Sequence, residues 1–313
     1  MKIEFVGGAG TVTGSSYILK NGDFTIMIDC GMFQGRRELK ERNFQHLIYA
    51  PGEVDAILLT HAHIDHSGLI PKIVKDGYSN PIYATDATAD LCGIMLPDSA
   101  HIQEMDIEWI NRKQKKLGRD PVPPLYTSED AVKSLEFFSP KRYGETFEVV
   151  RGVRARFRDA GHILGSAFIE LWVEENGRTT KFVFSGDLGT KGQPIIHDPE
   201  TADEADILLI ESTYGDRLHK SREDTFLEFK QIILDSYNRK GNIIIPSFAI
   251  ERTQEIIYVL GRLIKNDEIP HIPVYIDSPL AISATELFKK NSRLFNDEMR
   301  ALLAAGDRAR ISS

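Results

Sequence analysis

The run Thr60-His61-Ala62-His63-Ile64-Asp65-His66-Ser67-Gly68 constrains this chain most. Four side chains of metal-ligating type fall within six residues, directly after the apolar segment Val54 to Thr60. In extended chain alternate side chains point the same way, so His61 and His63 can reach one metal together. Asp65 and His66 sit where the loop turns into a helix and can face a second metal. Imidazole and carboxylate suit zinc, and also manganese or iron. A fold built around this run must therefore deliver strand ends to one place.

Later residues repeat that placement. His162 lies in Asp159-Ala160-Gly161-His162-Ile163-Leu164-Gly165-Ser166, a glycine-flanked loop before a strand. Asp187 lies just past a strand in Phe184-Ser185-Gly186-Asp187-Leu188-Gly189, where glycines on both sides let the backbone turn sharply. Asp29, in Ile28-Asp29-Cys30-Gly31, has the same strand-to-turn position. It reads as a residue that orients a ligand histidine, with a simple turn aspartate as the competing reading.

Around these positions the first half reads as short strands between turns. Met1 to Val6 is a first strand, too short and too quickly polar for a signal peptide. Ser16 to Leu19 and Phe24 to Ile28 flank the hairpin signal Asn21-Gly22. Pro81 to Thr85, Phe147 to Val150, Arg154 to Phe157, Ala167 to Val173, Thr180 to Phe184 and Ala205 to Ile210 continue the series. Asp86 to Lys116 is helical, is ended by the Gly and Pro of Gly118 to Pro124, and is expected to wall the site.

After Glu211 the pattern changes. Arg222 to Arg239 has helical periodicity, with Phe226, Phe229, Ile232, Ile233 and Tyr237 on one face. Asn242 to Ile245 reads as a buried strand, Glu251 to Ile264 as a helix, Pro273 to Ile276 as a strand, and helix resumes near Ala281. Such alternation implies βαβ units. The expected architecture is a mostly antiparallel α/β sandwich over 1–211, followed by part of a second α/β domain over 212–313.

Composition narrows the function. The 313 residues are 42% hydrophobic and 27% charged, as in ordinary globular chains, and no apolar run is long enough for a membrane span. Cys30 and Cys92 form no CxxC pair, which points to reduced thiols and a cytoplasmic protein rather than a disulfide scaffold. The net charge of −8 counts mildly against a nucleic-acid binder, although metal-holding carboxylates contribute to it. The glycine-rich opening Gly7 to Ser15 lacks the Gly-Lys-Ser/Thr ending of a phosphate loop and reads as a tight loop near the site.

The His-x-His-x-Asp-His run, His162 and Asp187 together resemble the metallo-β-lactamase superfamily. Gly7 to Ser15, Ile28 to Gly35, Gly161 to Ser166, Glu211-Ser212-Thr213-Tyr214-Gly215, Pro246 to Glu255 and Asp277 to Ala281 resemble its β-CASP ribonuclease branch. The resemblance covers essentially the whole chain. It implies an αββα sandwich followed by the start of an inserted β-CASP α/β domain. It implies that His61, His63 and His162 hold one zinc, that Asp65 and His66 hold another, and that Asp187 bridges them. Asp65, Asp187 and His162 would then be catalytic. Glu211 would support the site by orienting a histidine, with a helix or turn cap as the even alternative.

The implied activity is endo- or 5′-exonucleolytic hydrolysis of RNA by water that two zincs make acidic. Single-stranded RNA is the implied partner. Arg252 would meet a backbone phosphate, with a solvated surface ion pair as the competing role. The resemblance leaves room for a homodimer and implies no membrane. Two late histidines of the branch have no counterpart here, since His219 and His271 stand in no matching motif. The chain therefore reads as truncated relative to its family. The alternatives are a small-molecule thioester or lactone hydrolase, and an inactive RNA-processing scaffold.

Overall fold

Asn21 turns the chain back on itself, its side-chain oxygen accepting from the backbone of Asp23 and Phe24. The flanking segments become β2 (Ser16–Lys20) and β3 (Thr25–Ile28), which pair antiparallel, with β1 (Lys2–Gly7) on the far edge of β2. From β3 the sheet continues through β4 (Ala56–Leu58), β5 (Ile82–Thr85) and β6 (Phe138–Lys141), each parallel to the last. Parallel neighbours need long crossovers. Here those connections carry α1 (Arg37–Arg42), α2 (Ile64–Ser67), α3 (Ile70–Lys75), α4 (Asp86–Lys116) and α5 (Ser128–Ser134).

The computed structural model describes residues 1–45, 49–218 and 220–304 and divides into two units. The first is 1–191 with 198–211; the second is 192–197 with 212 onward. The first unit holds a second sheet, ordered β11-β10-β9-β8-β7. Its strands are β7 (Thr146–Val150), β8 (Val153–Asp159), β9 (Ala167–Glu175), β10 (Arg178–Phe184) and β11 (Ile207–Leu209). All its pairs are antiparallel except β10 with β11. Antiparallel pairs, which include the longest ladders, thus outnumber parallel ones as expected, and parallel pairing enters the first sheet where helical crossovers separate β3, β4, β5 and β6.

Alternation places the core. Ile26 and Ile28 of β3, Ala56 and Leu58 of β4, Phe157 of β8, Ile169 and Leu171 of β9, and Phe182 and Phe184 of β10 form one buried cluster between the sheets. Intervening positions such as Met27 and Ile57 are buried on the opposite face of their sheet.

Helix α4 starts at Thr85, whose hydroxyl accepts from the Thr88 N–H, and ends before Gly118, whose φ of +66° suits a residue without a Cβ. Its first half buries Leu91, Cys92, Leu96 and Ala100, while Ile102, Met105 and Trp109 of its second half are exposed.

The second unit is helical: α6 (Arg222–Asn238), α7 (Arg252–Lys265), α8 (Pro279–Lys290) and α9 (Asp297–Ala304). Ile233, Leu260, Leu263 and Ile269 form its buried cluster, with Phe226 and Phe229 against it. Ile232 and Tyr237, expected on the same face, are exposed. The expected strands Asn242–Ile245 and Pro273–Ile276 form no β-ladder. Ile243 and Val274 pack on the helical cluster, but Ile244 is 88% exposed. Apolar residues alone do not make a strand; the backbone N–H and C=O groups need a hydrogen-bonding neighbour.

Candidate metal centre

Each histidine and aspartate of the cluster is held by an element end. His61 follows β4, His63 precedes the first turn of α2, and His66 lies within α2. His162 sits between β8 and β9, and Asp187 comes after β10. Two glycines let these loops touch. A Cβ on Gly189 would lie 1.6 Å from the Gly161 carbonyl oxygen, so the Asp187 loop packs on the His162 loop only with glycine there. A Cβ on Gly31 would lie 1.7 Å from the Asp65 carbonyl oxygen, so the turn after Asp29 reaches the α2 backbone by the same means. The N-terminal end of α4 meets the His162 loop: the Thr85 and Thr88 hydroxyls donate to the Gly165 carbonyl at 2.6 and 2.8 Å.

The His61 Nε2 and His63 Nδ1 atoms are 3.1 Å apart, and His162 Nε2 is 3.2 Å from the same His63 nitrogen. Asp187 Oδ2 lies 3.9 Å from His61 Nε2 and 3.6 Å from His162 Nε2. These four residues bring one donor atom each within 4.8 Å of one another. A tetrahedral ion with bonds of about 2.0–2.1 Å sets its ligand nitrogens roughly 3.3 Å apart, so the donor set fits a divalent cation. The other Asp187 oxygen, Oδ1, faces His66 Nε2 at 3.2 Å. The carboxylate thus divides its oxygens between the three-histidine set and His66.

Protonation follows the same division. Burial, reinforced by neighbouring imidazoles, holds His61 well below its ordinary pKa. Burial, then the charge of a neighbouring histidine, brings His63 and His162 down to about 4. All three are therefore neutral near pH 7, the form that ligates. Burial opposes a charge on His66 too, but the Asp29 and Asp187 carboxylates outweigh it and hold this group well above the usual range. Burial would raise Asp187; the His66 hydrogen bond and the surrounding histidines instead bring it down to about 2. Burial pushes the partly buried Asp65 up, and the nearby Asp187 adds to the shift while His66 opposes it.

Asp65 stands outside the four-donor group, beside it. Asp29 is fully buried, and its Oδ2 lies 2.7 Å from His66 Nδ1. Its φ of +58° is left-handed, a conformation Asp tolerates better than most side chains. Of the two roles open to Glu211, the hydrogen bond it makes is that of a turn cap. Its Oε1 accepts from the Leu188 N–H at 2.7 Å, so it braces the turn immediately behind Asp187. A strand-end carboxylate can serve a backbone N–H or an imidazole, and only the packed loop selects between them. Arg252, exposed at the start of α7, donates to Glu255 at 2.7 Å. His271 is exposed, and His219 lies outside the described residues.

The sequence reading missed Thr60. Its N–H donates to Asp29 Oδ1 at 2.8 Å, and its hydroxyl lies 2.9 and 3.0 Å from the Asp29 oxygens and 3.0 Å from His61 Nδ1. A hydroxyl has one proton. Given to the carboxylate, it leaves the oxygen to accept from His61 Nδ1–H, which turns the lone pair of Nε2 toward the cluster. The available signal was a hydroxyl residue at the strand end, directly before the first ligand-type histidine.

Comparison with known proteins places the chain further. A family model for the metallo-beta-lactamase superfamily matches residues 9–233, and one for the Beta-Casp domain matches residues 253–312. Ribonuclease TTHA0252 of Thermus thermophilus is 38% identical over 306 residues, which is 98% of this chain and 65% of that protein. The transcription termination factor FttA of Methanosarcina mazei is 28% identical over 97% of this chain and 46% of its own length. An RNase J-like protein of Methanocaldococcus jannaschii is 29% identical over 96% of this chain and 64% of its own length. The chain thus spans less than two thirds of each of these relatives.

Proposed function

Because the chain belongs to the metallo-beta-lactamase superfamily and carries a Beta-Casp domain, we propose that it hydrolyses phosphodiester bonds in single-stranded RNA with divalent metal held at the His/Asp cluster. The observation that carries this reading is the convergence of His61 Nε2, His63 Nδ1, His162 Nε2 and Asp187 Oδ2. Three neutral imidazoles and a carboxylate favour zinc. His66 and Asp65, with Asp187 Oδ1, supply a second position, where the two neighbouring carboxylates call for a cation to balance them. Held by these residues, divalent metal would supply an acidified water and a Lewis acid for a phosphoryl oxygen.

The chain's own residues do the rest. Asp29 accepts from His66 Nδ1 and so aims Nε2 at Asp187, while Thr60 fixes the tautomer of His61. Glu211 holds the Leu188 backbone and with it the Asp187 loop. Arg252 contributes a cation toward backbone phosphate at the edge of its ion pair with Glu255. The similarity to a ribonuclease and to a transcription termination factor supports RNA over a small ester or lactam.

The test is cleavage of 5′-labelled single-stranded RNA by the 313-residue chain with zinc, beside Asp65→Ala, with metal content measured on both. Cleavage by the parent alone is expected, and the product ladder separates 5′-exonucleolytic from internal cutting. Equal cleavage by the variant would remove Asp65 from the site. A parent that binds metal without cutting RNA would reject the substrate.

A further inference from the structure

Helix α4 ends in a cationic, aromatic surface that the metal centre does not use. Ile102, Met105, Trp109, Arg112 and Lys116 follow one another at spacings of three and four residues, which puts them on one helix face. All five are exposed, Trp109 at 56%. Between Asn111 and Arg119 the chain has five cations, Arg112, Lys113, Lys115, Lys116 and Arg119, and no acid. This occurs in a chain of net charge −8, so the field reverses locally. Few of these charges are neutralised. Arg112 is 3.9 Å from Glu108, and Lys113 Nζ lies 3.4 Å from the Trp109 ring centre. Lys115, Lys116 and Arg119 have no ion pair among the described residues.

We infer that this end of α4 is an accessory binding surface for single-stranded RNA, remote from the metal centre. The inference rests on the reading of RNA as the substrate. Unpaired cations complement a phosphate backbone, and an exposed indole beside them offers a face on which a base stacks whatever its identity. Glu104, Asp106 and Glu108 share the Ile102-to-Trp109 part of the helix, but Glu104 is drawn into hydrogen bonds with Ser128 and Glu108 faces Arg112, and the stretch from Asn111 to Arg119 is free of acids. An acidic peptide would match the charge but has no use for the indole. A base and its phosphate use both.

The position sets a length rule. The first turn of α4 touches the His162 loop through Gly165, and Trp109 comes 23 residues after Asp86. At ~1.5 Å per residue that is roughly 35 Å. A stacked strand rising ~3.4 Å per nucleotide needs on the order of ten nucleotides to span it. Short RNAs therefore reach the metal centre without touching the patch, and longer ones reach both.

The experiment uses oligouridylates of about 20 and about 6 nucleotides with the 313-residue chain, Trp109→Ala, Trp109→Phe and the double variant Arg112→Gln/Lys116→Gln. Binding is read without metal by fluorescence anisotropy of labelled RNA. It is also read by quenching of Trp109 in a Trp172→Phe background, since the chain has only these two tryptophans. Trp109→Ala is expected to weaken binding of the long RNA about tenfold, with Trp109→Phe restoring most of it and the short RNA unaffected. The double variant should reduce the slope of log affinity against log salt by about 1.4 for the long RNA alone. In cleavage assays KM for the long RNA rises while kcat holds. Unchanged long-RNA binding in all variants, or equal losses for both lengths, overturns the inference. So does loss of a concentration-dependent dimer in Trp109→Ala with RNA binding intact, which would make the face a protein interface. If the parent binds the long RNA through Trp109 but cuts neither, the patch stands and the hydrolytic reading falls. If it cuts both and Trp109→Ala behaves as the parent, the reverse holds.

Discussion

The stretch from β7 to β10 and the two segments 242–245 and 273–276, on either side of α7, are both rich in apolar residues, but only the first pairs its backbone in a β-ladder. Phe157, Ile169, Leu171 and Phe182 are essentially fully buried in laddered strands. In those two segments Ile244 and Tyr275 stand in solvent, while Ile243 and Val274 are partly buried against the helical cluster of Leu260 and Leu263. Apolar content states which side chains favour burial; the ladder decides whether they get it. The chemistry follows the ladders. His162 and Asp187 hang from the ends of β8 and β10, where both neighbours are pinned. Arg252 follows Glu251, a non-glycine residue at a φ of +65°, in a unit with no such frame.

That contrast can be broken most directly at its core. Phe157→Ala should lose about 3–5 kcal/mol in denaturant unfolding. Tyr275→Ala should stay within about 0.5 kcal/mol. Hydrogen exchange should show β9 amides protected and those of 242–245 exchanging early. Similar losses for the two variants would mean that the two segments are packed in solution after all.

A smaller effect is expected behind the ligands. Asp29→Asn keeps the shape but no longer offers His66 Nδ1 a full carboxylate, so metal affinity should fall about 10–100-fold in chelator competition. Unaltered affinity would show that His66 is oriented by packing alone.

Acid should act on the first unit. His63 and His162 are brought down to about 4 from an ordinary 6.5, and His61 is also held well below that ordinary value. Between pH 6.5 and about 4 the unfolded chain takes up protons that these folded imidazoles refuse. Stability of the metal-free chain therefore falls as pH falls through that window. His66 acts oppositely: its raised folded pKa contributes fully below 6.5, and the contribution is lost as pH climbs through that raised value. The thermal midpoint in chelator should be several degrees lower at pH 4.5 than at 6.5. His63→Gln should flatten the difference, and a midpoint that does not move would argue against three buried neutral imidazoles.

The smallest effect is assigned to Arg252. Exposed and paired with Glu255, it should cost under about threefold in RNA affinity when changed to alanine, and about 0.7 in salt slope at most. A tenfold loss would promote it from an outlying contact to a principal one.

Much of this was legible beforehand where the cause is local. The helix Asp86–Lys116 was readable to its ends, because Thr85 is a good cap and Gly118 a good stop. The hairpin at Asn21-Gly22 was readable because that turn is made by its own side chain and backbone. The strand β6 was not anticipated, and 242–245 and 273–276 were expected as strands that do not form. Both errors concern pairing, which depends on residues far away in the chain. The same holds in the site: the histidine spacing was plain, whereas Glu211 stayed open between orienting a histidine and capping a turn, because its partner Leu188 lies 23 residues away.

The sequence alone determined which atoms were available: four ligand-type residues after an apolar strand, two more in turns, and glycines at the points of closest approach. These follow from side-chain chemistry and from the period of an extended chain. The tertiary structure decided which atoms meet. It turned His63 inward through Nδ1 and His61 through Nε2, split Asp187 between two sets of nitrogens, and placed Thr60 between Asp29 and His61. Rotamer, tautomer and loop approach are settled by packing between β4, β8 and β10, and no local stretch of chain contains that information.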